Sequence, residues 1–313
     1  MKRMLAGVAV IATAFALTGC GDSSDPLSSG SQSSGERPTS VAKPDKVIVG
    51  SANFPESQLL AEIYAAALES KGITVERKLN IGNREAYYPG IEDGSIDLIP
   101  EYTGVLLQYV DKSATATAAD EVYTALQGKL PTSLTVLDKS AAEDKDAVVV
   151  TKETADKWGL KTIEDLKAHA GEAVFGGPPE FRTRVDGLPG LKKHYELEFK
   201  EFKSLDAGGP LTVNALKTGE VQAADIFTTD PTITVNGFVV LEDPHSNFAA
   251  QNVVPLINSG KASDEVKEVL NLISQKLDTE GLTALNAKLS APEKPDAATV
   301  AKEWLASIGV CPR

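Results

Sequence analysis

The three histidines of this 313-residue sequence, His169, His194 and His245, are scattered. None has metal-ligand spacing, and no H-E-x-x-H motif occurs. A G-x-S-x-G elbow, a Walker A loop and a G-x-G-x-x-G fingerprint are also missing. Acid pairs such as Glu242-Asp243 are more often solvated faces than acid/base dyads. These absences favour binding without catalysis, with neither cofactor nor metal expected. Basic clusters are lacking too, and the formal net charge is -13. Phosphate binding needs clustered Lys and Arg, so nucleic acid is not an expected partner. The apolar run at the front, from Met4 to Leu17, falls short of the ~20 residues a membrane span needs.

The front of the chain has a different use. Lys2 and Arg3 precede the apolar run, which ends in Leu17-Thr18-Gly19-Cys20. This resembles the bacterial lipobox, so residues 1–20 read as a lipoprotein signal peptide with Cys20 as the lipidation site. Several acyl chains at ~0.8 kcal/mol per buried CH₂ would hold the protein on the outer face of the cell membrane. Residues 21–45 are rich in Ser, Gly, Asp and Pro and read as a flexible tether. Cys311, the other cysteine, is then expected as a free thiol.

The body opens with the strand Lys46–Gly50, a helix at Glu56–Ser70 and a strand at Ile73–Lys78. Pro55 suits the first helical position and Gly72 the stop. This β-α-β unit predicts a parallel pair in an α/β layer. The loop carrying Asn53 and Phe54 lies at the first strand's C-terminal end, beside free N–H groups of the next helix. Further strands and helices alternate as far as Leu241, and three amphipathic helices close the chain. Trp158 and Trp304 read as packing residues.

Aromatic residues make up only 6% of the chain, yet four of the seven tyrosines lie between Tyr87 and Tyr109. An apolar strand from Ile96 runs into Glu101-Tyr102-Thr103 there. Strand ends that deliver such residues line ligand crevices in open α/β sheets. A second stretch repeats the plan and ends at Phe227-Thr228-Thr229-Asp230, which predicts two α/β lobes facing each other across a cleft. Candidate contacts at these ends are Tyr102, Thr103, Phe227, Thr228 and Asp230, together with Asn53 and Phe54.

From Lys46 onward the sequence resembles the substrate-binding proteins of osmoprotectant ABC importers, which bind glycine betaine, choline, carnitine and related compounds. The motifs are GSANFPESQLLAEIY, DGSIDLIPEYTG, EFRTRVDGLPGLKKHY and DIFTTDPTI. The resemblance implies a two-lobed type II periplasmic-binding-protein fold. Residues 46–104 and 247–313 would form one lobe and residues 105–246 the other, with hinges near Tyr102 and Phe248. It implies a monomer that delivers its ligand to a membrane permease. By the same resemblance Tyr102 is a cage wall, and Tyr87 or Tyr88 another, with Tyr88 preferred on its spacing to Gly94. Phe227 keeps a π face where the family often has Tyr, and Arg184 matches the carboxylate-binding arginine. Two positions depart from the pattern. Ala52 stands where many betaine binders have Lys, and Gln251 where many have a cage Tyr. The alternative they raise is a different ligand, such as a flat aromatic or uncharged molecule.

Overall fold

The structure is a computed structural model that describes residues 41–311. The signal peptide, Cys20 and most of the tether lie outside the described residues. The chain builds the strand β1 (Lys46–Gly50), α1 (Pro55–Ser70), β2 (Thr74–Lys78), α2 (Arg84–Glu92), β3 (Leu98–Tyr102), α3 (Thr103–Val110), α4 (Ala119–Lys129) and β4 (Leu134–Val136). It continues with β5 (Val148–Val150), α5 (Lys152–Trp158), β6 (Val174–Gly177), α6 (Leu188–Tyr195), β7 (Glu201–Ser204), α7 (Pro210–Lys217), β8 (Ala223–Asp225), α8 (Pro231–Asn236) and β9 (Val239–Val240). It ends with β10 (Val253–Asn258), α9 (Asp264–Lys276), α10 (Thr279–Leu289) and α11 (Ala297–Ser307).

These strands form two five-stranded sheets, ordered β2-β1-β3-β10-β4 and β7-β6-β8-β5-β9. In each, three strands run parallel, joined by helices, as the β-α-β pattern requires. The fourth strand runs antiparallel to its neighbours: β10 against β3 and β4, and β5 against β8 and β9. β5 is the first strand after the chain leaves the first sheet, and β10 the first after it returns. Two crossings between two α/β layers make this the type II periplasmic-binding-protein fold.

The first crossing comes later than the sequence motif at Gly104 indicates. β4 pairs with β10 in the first sheet, with Leu256 opposite Val136. Leu106, Leu107, Val122 and Leu126 of α3 and α4 share a core with Ile99 and Val254 of that sheet. Residues 105–136 therefore pack with the first layer, and the passage to the second lies between Val136 and Val148. The physical reason is that β4 finds its partner more than 100 residues further on, in β10, which no local pattern reveals.

Two motif glycines have steric explanations. A Cβ on Gly104 would sit 2.6 Å from the Ala250 carbonyl oxygen, so α3 and the returning segment can approach this closely only without a side chain. A Cβ on Gly190 would meet Asn247 Oδ1 at 2.3 Å, which fixes α6 against that segment too. Trp158 is partly buried against the second-layer core and stacks on His169 with ring centroids 4.5 Å apart, while Trp304 packs partly buried on the core around α1. Cys311 is an exposed free cysteine. Among the described residues no helix is long and apolar enough to cross a membrane.

Candidate functional site

The cleft between the layers begins at the end of β3, where alternate residues point to opposite faces. Glu101 is fully buried and receives Arg84 in a bidentate pair, Nε to Oε1 at 2.9 Å and Nη2 to Oε2 at 2.8 Å. The Tyr87 hydroxyl donates to the same carboxylate at 2.6 Å, and the Tyr102 backbone N–H at 3.0 Å. Burial works against the charge on Arg84, but Glu101 holds its guanidinium well above the usual value. Arg84 and Tyr87 stand at the start of α2, whose N-cap Asn83 accepts from Ala86 N. The ion pair thereby fixes the helix that presents Tyr87 to the cleft.

Tyr102 leaves the strand on the other side. Its hydroxyl donates to Glu56 at 2.6 Å, and Thr229 and Asn286 donate to the second oxygen of Glu56. Glu56 thus gathers α1, β3, the loop after β8 and α10 around one buried carboxylate. The Tyr102 ring lies 6.1 Å from Phe54, and Phe54 lies 5.2 Å from Phe227. These three rings form one continuous aromatic wall assembled from both layers. Burial and the neighbouring Glu56 push the Tyr102 phenol well above its ordinary pKa, so the ring stays neutral and keeps its hydroxyl proton.

The polar lining of the cleft comprises Asn53, Asn83, Arg84, Asp144, Asp146, Glu180, Arg184 and Gln251. Arg184 spans the layers: Nε reaches Glu85 Oε1 at 3.2 Å and Nη2 reaches Oε2 at 3.1 Å, with Glu180 at 3.8 Å. Burial and the charge of Arg84 oppose its guanidinium, yet Glu85 and Asp146 raise its pKa above the usual value. Gln251 accepts from Val105 N through Oε1, and its buried Nε2 has no partner.

Of the residues expected from sequence, Asn53, Phe54, Tyr87, Tyr102, Arg184, Phe227 and Gln251 line this cleft. Tyr88, the preferred one of its pair, does not. It packs on Tyr109 at 4.7 Å and faces a separate hollow beside Lys129. Consecutive helical residues are turned by about 100°, and the ion pair of Arg84 assigns the cleft-facing direction to Tyr87. Thr103 is buried and accepts from Asn252 N while donating to the Ala250 carbonyl, so it ties β3 to the return segment. Thr228 accepts from Lys145 N at the crossing. Asp230 caps α8 through Thr232 N and lines a neighbouring cavity. Sequence reasoning missed Arg84, Glu101, Glu56, Asp144, Asp146 and Glu180. Glu101 stood inside a recognised motif, but nothing local marks an acid as buried. Among the described residues no group of three or more His, Cys, Asp or Glu is arranged to hold a metal ion.

Residues 45–307 match the family model described as the substrate binding domain of ABC-type glycine betaine transport system. A curated relative from Helicobacter pylori, named ergothioneine transport permease/ergothioneine binding protein EgtU, is 25% identical over 276 residues. That match covers 87% of this chain and 49% of the relative, so the chain spans about half its length. The glycine betaine-binding protein YehZ of Escherichia coli is 28% identical over 287 residues, covering 87% of this chain and 93% of the relative. Among solved structures, apo YehZ from Escherichia coli superposes with a TM-score of 0.60 at 27% identity, covering 86% of this chain and 99% of its own. A glycine betaine/carnitine/choline ABC transporter protein has a TM-score of 0.66 at 24% identity, over 83% and 98%, and supports the fold alone.

Proposed function

The chain belongs to the family of substrate-binding domains of ABC-type glycine betaine transport systems, and from that premise we propose that it is a solute receptor that holds a small quaternary-ammonium compound between its two layers and delivers it to a membrane permease. The observation that carries the ligand class is the wall of Tyr102, Phe54 and Phe227. A quaternary ammonium has no N–H to donate, so hydrogen-bonding groups cannot recognise it. Aromatic faces can, through cation–π attraction of about 0.5–2 kcal/mol per ring depending on desolvation. Tyr87 adds a fourth ring at the edge of the same space.

In this reading the protein works as a monomer without catalysis. The two layers close on the ligand as lobes about the two crossings, and the closed form docks on the permease. In the same reading Cys20, at the end of the lipobox-like Leu17-Thr18-Gly19-Cys20, is the lipidation site, and residues 21–45 tether the protein to the membrane outside the cell. Isothermal titration of the purified protein with choline, glycine betaine, carnitine and ergothioneine tests the class. One-to-one heat with at least one of them is the expected result. Silence across all four, with the fold intact by circular dichroism, overturns the proposal.

A further inference from the structure

The charges around the cleft are unequal, and the arginines are already occupied. Arg84 is held bidentately by Glu101, and Arg184 by Glu85 with Glu180 beside it. The lining adds Asp144 and Asp146. Behind them lie Asp186 and Asp225, both buried. Asp186 Oδ2 and both oxygens of Asp225 lack partners. The first loop contributes Ala52 and Asn53 and no cation. A ligand carboxylate entering this space meets no free positive charge. To reach Arg184 it must displace Glu85, leaving one carboxylate close to another. A ligand carrying only a positive charge meets the acid excess and the aromatic wall together. Gln251 also lines the cleft, with its Nε2 buried and unpaired.

Resting on the function proposed above, we infer that the cleft selects a quaternary ammonium cation without a carboxylate, an alcohol of the choline kind, over a zwitterion such as glycine betaine. Glu85 is the positioning residue that sets this preference by occupying Arg184. The titration behaviour of the acids agrees. Burial raises the pKa of Asp146, which faces Arg184, Arg84 and Asp225. Burial and Asp146 push Asp186 up to about 7, against the pull of Arg184 and Arg84. Burial, Asp146 and Asp186 raise Asp225, again against Arg184, and burial with Glu56 raises Asp144. Burial raises the pKa of these acids because the two arginines are too few to offset it for all of them. A bound cation supplies the charge they lack.

Choline and glycine betaine share the trimethylammonium group and differ in the hydroxymethyl or carboxylate beyond it, so titrating both isolates the effect. Choline is expected to bind at least about tenfold tighter. Glu85→Gln should move the two in opposite directions, because it frees Arg184 for a carboxylate and removes one negative charge. Glycine betaine then tightens several-fold and choline weakens. If Glu85 served only to hold the layers together, both ligands would move the same way, and that result overturns its assignment. Glycine betaine or ergothioneine binding the unmodified protein more tightly than choline overturns the inference and leaves the receptor reading standing. Binding of no quaternary compound removes both.

Discussion

Replacing Arg84 with methionine destabilises the protein by about 3–5 kcal/mol, because it leaves the Glu101 carboxyl fully buried and without its counter-ion. Tyr87 and the Tyr102 amide still donate to that carboxylate, but two neutral donors do not replace a bidentate guanidinium. The double replacement Arg84→Met with Glu101→Leu is expected to cost much less than the single one, since no uncompensated charge remains in the core. Urea unfolding monitored by circular dichroism reads both as shifts in midpoint at constant slope. Equal losses in the single and double variants would mean that packing around α2, and not the buried charge, holds this end of the cleft.

The second large effect is on binding. Tyr102→Leu keeps apolar bulk in the core but removes the π face at one end of the wall, and should weaken a quaternary ligand by about 0.5–2 kcal/mol, roughly 2- to 30-fold. Tyr102→Phe keeps the face and loses the hydrogen bond to Glu56. It should therefore bind nearly as well while losing about 1 kcal/mol of stability. Titration and thermal unfolding of the two variants separate the roles of the ring and the hydroxyl. If the leucine variant bound as tightly as the original, Tyr102 would be a structural residue only.

The parts of this molecule that could be read from sequence are those determined locally. Pro55 and Gly72 bracket α1, whose apolar residues are buried, although the helix is buried all round from Leu59 to Leu68 and not on one face. Gly187, Pro189 and Gly190 give the start of α6 a loop composition, and α8, which begins at Pro231 and ends at Gly237, buries no residue that would give it a period. The extent of the first layer was misjudged because β4 is defined by β10, far along the chain. In the site, the aromatic wall was legible because large rings are rare in this chain. The ion pairs were not. Arg84 and Glu101 lie 17 residues apart, and Glu85 meets Arg184 99 residues away. A charged residue in a sequence looks the same whether it faces water or a buried partner. The choice between Tyr87 and Tyr88 failed for the same reason, since the partner that orients α2 lies on another element.

The central claim is that aromatic faces in the cleft recognise a permanent positive charge. It is tested most directly by titrating the protein with choline and with its tert-butyl analogue, in which carbon replaces the nitrogen while the shape is kept. Three rings at about 0.5–2 kcal/mol each predict that the charged ligand binds at least about tenfold tighter. Equal affinities would contradict the claim, since shape and apolar burial would then account for all of the binding.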